Sequence, residues 1–161
     1  MLKRLLKPDL VIKDICSLEL EYLTSHHIKT LILDVDNTLM AKDYQKLNEG
    51  VLDYLKEIQR LKIEIVLVSN NAGKSRLDLA HNLDVKILTF GLKPFKFRFN
   101  AFKKELKLSG PMVMVGDQLF TDILFAKRIK AISVLVNPLS TNEYISTKIL
   151  RVIERKLVDR V

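Results

Sequence analysis

The run Leu31-Ile32-Leu33-Asp34-Val35-Asp36 sets the strongest limit on what this chain can fold into. Four apolar residues surround the first of two carboxylates placed two apart, which reads as a buried strand with the acids at its carboxyl end. In an open α/β sheet, ligands bind just beyond that edge. Carboxylates there are costly unless a cation or a reacting group uses them. Period two along a strand aims Asp34 and Asp36 toward one face, so one can act as nucleophile while the other handles protons. The plainer reading is a strand that runs into an Asp36-Asn37-Thr38 turn, since these residues favour turns.

Apolar runs alternate with amphipathic ones along the rest of the chain, the pattern of a parallel α/β sheet. Strands are expected at 30–36, 63–68, 85–88, 111–115 and 131–136. Helices are expected at 18–25, after a cap at Asn48 with Val51, Leu55 and Ile58 on one face, at 73–83, from Pro94 onward, and at 121–128. Phe95, Phe99, Phe102 and Leu106 fall at helical spacing and read as core. Ser140 and Glu143 form a capping-box pattern. A last helix would carry Ile145, Ile149, Val152 and Ile153 on one side. With 161 residues, one domain over 1–161 is expected, with a basic segment and helix at 1–29 packed on the core.

The 48% apolar content contains no long uncharged run, so a membrane span is not expected. The basic N-terminus lacks the apolar stretch of a signal peptide, and Cys16 has no partner for a disulfide or a cysteine zinc cluster, which makes a cytoplasmic location the expectation. His26, His27 and His81 read as surface residues near helix ends. The net charge of +8 bears on partners. It gathers at the N-terminus (Lys3, Arg4, Lys7, Lys13), at 93–107 and in the last third of the chain. Solvated helix faces account for it, and so does attraction to a polyanion or an anionic membrane.

Three more motifs fall at strand ends. Ser69 follows the 63–68 strand, with Asn70 beside it, and a hydroxyl there can donate to a phosphoryl oxygen. Lys93, in Gly91-Leu92-Lys93-Pro94, can neutralise developing phosphoryl charge, with Lys74 as the competing lysine. Gly116-Asp117 ends the 111–115 strand. Asp117 can ligate a hard cation together with Asp34. Asp122 can orient Lys93 or a metal-bound water, or serve as an acid at a helix N-terminus.

Taken together, Asp34-x-Asp36-x-Thr38, Ser69, Lys93-Pro94 and Gly116-Asp117-x-x-x-x-Asp122 resemble the four motifs of haloacid dehalogenase-superfamily (HAD) phosphatases. The Leu6-Lys7-Pro8-Asp9-Leu10 start, a short helix and Asp-x-Asp-Asn-Thr-Leu are similar to the YqeG-like branch of subfamily IIIA, to which mitochondrial phosphatidylglycerophosphate phosphatases belong. The resemblance implies a Rossmann-like three-layer sandwich. Its five strands, numbered in chain order, would run 5-4-1-2-3.

It also implies roles. Asp34 would be the nucleophile that forms an aspartyl-phosphate, and Asp36 the general acid and base. Mg²⁺ would be held by Asp34, Asp117 and the Asp36 backbone carbonyl. Ser69, Asn70 and Lys93 would bind phosphate, with Thr38 and Asp122 in support. The segments that could hold a cap domain are too short for one, leaving at most a flap at 40–45. An open site suits a phosphate presented on something large. The leading expectation is phosphatidylglycerophosphate at the inner membrane surface, with Leu2, Leu5 and Leu6 forming a lipid-facing turn. The alternatives are a soluble phosphomonoester, nucleic acid end or phosphoprotein as substrate, and a basic RNA- or protein-binding module without catalysis.

Overall fold

A computed structural model of the chain describes residues 5–40, 47 and 49–139. Leu2, Asn48, the flap residues beyond Met40, the Ser140–Glu143 pattern and the last expected helix lie outside the described residues. Six strands form one parallel sheet: β1 (Leu10–Ile12), β2 (Thr30–Leu33), β3 (Glu64–Val68), β4 (Lys86–Leu88), β5 (Met112–Gly116) and β6 (Ile132–Val136). Their order is β1-β6-β5-β2-β3-β4. The five expected strands run as 5-4-1-2-3, and β1 adds an edge that the sequence reading omits.

β2 is buried along its whole length because it lies between β3 and β5. Its alternation divides the core. Leu31, Leu33 and Val35 face one layer, with Leu23, Leu55, Ile58 and Leu79. These come from α1 (Leu20–Ser25), α2 (Glu49–Arg60) and α3 (Lys74–Asn82). Ile32 faces the other, with Val66, Met114, Phe99 and Phe125, the last two from α4 (Phe97–Glu105) and α5 (Leu124–Ile129). The Phe99 and Phe125 rings meet edge to face at 5.3 Å, a geometry worth about 0.5–1.5 kcal/mol beyond the area buried. Among the described residues no helix is long and apolar enough to cross a membrane.

Several local expectations shift. Helix α4 begins at Phe97 rather than at Pro94, which sits in the turn before it after a cis Lys93–Pro94 bond. Phe99 and Phe102 pack in the core as expected, whereas Phe95 is exposed. The expected helix at 121–128 is a π-helical turn, Leu119–Ile123, that continues as α5. Leu6 is not free to face lipid, since it is buried against Leu119, Ile123 and Leu124.

The reason for the edge strand lies in Asp9. Its backbone N–H donates to the Ser133 carbonyl at 2.9 Å. Its Oδ2 accepts from the Ser133 N–H and hydroxyl at 2.8 and 2.7 Å, and Lys127 Nζ lies 2.6 Å from Oδ1. Ser133 is fully buried, so Asp9→Ala strands polar groups that water reaches poorly. We expect a loss of about 1–2 kcal/mol in chemical denaturation. Burial pushes the Asp9 carboxyl up, but Lys127 and the Ser133 bonds outweigh it and hold it below its usual range. A depressed folded-state pKa contributes stability above the unfolded value and loses it as pH falls through the folded value. The gap between wild type and Asp9→Ala is therefore full at neutral pH and shrinks below about pH 4. Equal stability at neutral pH would count against the staple.

Candidate active site

The register pairs Leu33 with Val115 on one side and with Leu67 on the other. Asp34 therefore leaves β2 level with Gly116-Asp117 and with Val68-Ser69. The Asp34 N–H still donates to the Val115 carbonyl at 3.0 Å, so the acid sits one step past the strand on a fixed backbone. Asn37 then takes a left-handed conformation (φ 62°), which turns the chain back and buries Thr38. The Thr38 hydroxyl donates to Asp34 Oδ2 at 3.3 Å.

Lys93 reaches this corner from the loop after β4. Its ammonium lies 2.5 Å from Asp34 Oδ1 and 2.7 Å from Asp122 Oδ1, with all three side chains buried. The loop is tied down by β3's end. The Asn70 amide is engaged at both ends by the Lys93 backbone, accepting from its N–H at 2.6 Å and donating to its carbonyl at 2.9 Å. Gly91 N–H adds a bond to the Ser69 carbonyl at 2.8 Å. Lys74 is exposed at the start of α3. Asp122 is delivered by the π-helical turn, a distortion often found at functional positions, and its Oδ2 accepts from the Gln118 N–H at 3.1 Å. A Cβ on Gly116 would stand 2.4 Å from the Asp122 Cβ, so the close approach of the strand to this acid requires glycine.

One carboxylate oxygen from each of Asp34, Asp117 and Asp122 lies within 4.8 Å of the others. With all three ionised, Lys93 offsets one charge and two remain, in a set of hard oxygen donors suited to a hard dication. The residues fit a divalent cation on that chemistry. Burial pushes the Asp34 carboxyl well above its usual range. The Lys93 ammonium opposes this, and the charges of Asp122 and Asp117 add to it. A dication here would favour the ionised form. Lys93 resists burial's downward push because Asp122 and Asp34 hold its proton, and its pKa lies above the usual lysine range.

Asp36 has different partners from Asp34. Its carboxylate takes two bonds from the Arg76 guanidinium, with Arg76 Nε at 3.3 Å from Oδ2. Asn71 Nδ2 and Ser69 Oγ donate to the same oxygen at 3.0 and 3.3 Å. Burial pushes this carboxyl up, but Arg76, Asn71 and Ser69 outweigh it and hold it below the usual carboxylate range. Neither Arg76 nor Asn71, which follows Ser69 and Asn70 at the end of β3, is among the site residues expected from sequence. Arg76 stands two residues beyond Lys74 in the same stretch, and its separation from Asp36 by 40 residues leaves no local signal.

The family model described as "Mitochondrial PGP phosphatase" matches residues 1–139. "Probable phosphatase YqeG" of Bacillus subtilis is 28% identical over 159 residues, covering 98% of this chain and 92% of that protein. "Phosphatidylglycerophosphate phosphatase 1, chloroplastic/mitochondrial" of Arabidopsis thaliana is 28% identical over 150 residues, covering 84% of this chain and 42% of the plant protein. Among solved structures, the cobalt-bound deoxy-D-mannose-octulosonate 8-phosphate phosphatase of Haemophilus influenzae aligns with a TM-score of 0.55 at 13% identity, covering 83% of this chain and 89% of that one. That likeness concerns the fold.

Proposed function

Since the chain belongs to the mitochondrial PGP phosphatase family, we propose that it removes the terminal phosphate of phosphatidylglycerophosphate by way of a phosphorylated Asp34. It is a HAD-type phosphatase. The observation that carries the mechanistic reading is the buried convergence of Asp34, Lys93, Asp117 and Asp122 at the carboxyl ends of adjacent strands.

In the first half-reaction an Asp34 oxygen attacks phosphorus, and the bond from phosphorus to the glycerol oxygen breaks. Lys93 holds phosphoryl oxygens as charge builds, itself oriented by Asp122, and the Ser69 hydroxyl assists. Asn70 keeps the Lys93 loop in place. Asp36 gives a proton to the leaving alkoxide. In the second half-reaction it takes one from the attacking water, which returns Asp34 and releases phosphate. The Arg76 contact favours the ionised form of Asp36 that activates water in the second half-reaction. A divalent cation, by this reading Mg²⁺ on Asp34, Asp117 and the Asp36 carbonyl with Asp122 in reach, would screen the carboxylate nucleophile from the phosphate's charge.

Only eight residues, 41–48, separate Met40 from α2, too few for a cap domain, so a phosphate on a bulky carrier can enter. Purified protein with Mg²⁺ should release phosphate from phosphatidylglycerophosphate in mixed micelles faster than from nucleotides, sugar phosphates or phosphopeptides. Brisk turnover of one of the soluble compounds with none of the lipid would replace this substrate with that one.

A further inference from the structure

Four large apolar side chains crowd the loop that carries Lys93. Phe90, Leu92, Phe95 and Phe97 are 56, 45, 59 and 60% exposed. Single exposed apolar residues are ordinary, but four within eight positions make a patch, and patches of this kind mark interaction sites. Its stretch of chain is basic. Between 85 and 104 there are six Lys or Arg and no Asp or Glu. Lys93 alone of the six turns inward, while Lys96 and Arg98 are exposed beside the phenylalanines. Arg128 comes from the end of α5, lies 5.6 Å from the Phe95 ring centroid and donates to the Pro94 carbonyl at 3.1 Å.

The patch is rigidly presented. The Gly91 and Asn70 bonds fix the loop on the end of β3, and the Phe95 N–H closes a turn on the Leu92 carbonyl at 2.8 Å. Its backbone is next to the chemistry: the Cα of Phe95 can stand no more than about 7 Å from that of Lys93. Exposed apolar side chains interspersed with cations match a surface whose interior is hydrocarbon and whose face is anionic. A second copy of this chain would bring the same positive charges against themselves.

We propose that the exposed Phe90, Leu92, Phe95 and Phe97, with Lys96 and Arg98 interleaved among them in the chain and Arg128 beside Phe95, dock the protein on an anionic lipid surface and bring the Lys93 corner to a phosphate held there. The link to substrate rests on the lipid-phosphate reading above; the docking itself does not.

The test compares sedimentation with vesicles of phosphatidylcholine plus phosphatidylglycerol against vesicles of phosphatidylcholine alone. Wild type should sediment with the anionic vesicles. Phe95→Ser/Phe97→Ser and Lys96→Glu/Arg98→Glu should each weaken this by about tenfold or more. Both double variants change exposed side chains, and unchanged hydrolysis of a soluble aryl phosphate verifies their fold. With phosphatidylglycerophosphate in vesicles, KM should rise by a similar factor at nearly constant kcat. Equal sedimentation with both vesicle types, or variants that sediment like wild type, overturns the docking face. So does tighter binding to a single-stranded oligonucleotide than to anionic vesicles. The two readings fail separately. Charge-dependent, Phe95/Phe97-dependent binding without lipid hydrolysis removes the substrate and keeps the docking. Lipid hydrolysis that ignores both double variants does the reverse.

Discussion

Asp34→Asn is expected to reduce phosphate release to background, a loss on the order of 10⁴ or more in kcat. The amide keeps the size of the side chain; its oxygen can still accept from Lys93, and its NH2 can donate to the Thr38 hydroxyl, so the fold should survive. What it lacks is the anionic oxygen that attacks phosphorus in the proposed mechanism. Lys93 retains Asp122 as a buried partner at 2.7 Å, which limits the damage to the surrounding charges. Circular dichroism and thermal melting near wild type, with no turnover, is the expected combination. Beryllofluoride should form an adduct with wild-type Asp34 and not with the variant. Near-wild-type turnover by Asp34→Asn would remove the covalent route altogether.

Asp36→Asn should separate the two half-reactions. A glycerol alkoxide is a poor leaving group and needs a proton, so its release should slow by about 10² to 10⁴, the usual worth of general acid–base assistance. A nitrophenolate leaves without that help. Its first step should slow much less, and phosphorylated enzyme should accumulate because water activation is impaired. Acid quench after a short incubation, followed by intact mass measurement, reads the phosphoryl adduct directly. Equal losses on both substrates and no adduct would count against Asp36 as the proton carrier. The substitution also leaves Arg76 without its carboxylate, so Arg76→Ala is the matched control. With Arg76 gone the Asp36 carboxyl rises toward its usual range, so Arg76→Ala should shift the pH dependence of turnover without abolishing adduct formation.

How far the sequence carries follows from the range of the signal. The central strands were legible because each is a dense apolar run, and Leu31-Ile32-Leu33 is buried on both faces. Once such strands lie in parallel, the residues that follow them share one edge. That is why Asp34, Lys93, Asp117 and Asp122 meet although they are spread over 89 positions. Strand β1 was illegible because three residues carry no period, and its pairing depends on Asp9 and Ser133, which are 124 positions apart. Leu6 looked like part of an amphipathic turn; burial under the π-helical turn is a tertiary outcome that local spacing does not encode. Phe95 shows the converse case. It shares helical spacing with Phe99, but α4 starts two residues after it, and so the ring points outward. Arg76 carries no such signal, because an arginine early in a helix is usually solvated.

The pairing of β1 with β6 also bears on how the molecule is made. The first strand ends at Ile12, and among the described residues its only neighbour in the sheet begins at Ile132. At ribosomal rates of roughly 5–20 residues per second, the 120 residues from Lys13 to Ile132 take about 6–24 s to synthesise. For that interval the nascent chain carries Leu10–Ile12 with no strand to join, while β2 and β3 can already pair. The amino-terminal strand is thus the last to be seated, and the sheet closes only when nearly the whole α/β unit has emerged. A chain halted before Ser133 would leave the β5 edge bare, an open template for pairing with a neighbouring polypeptide.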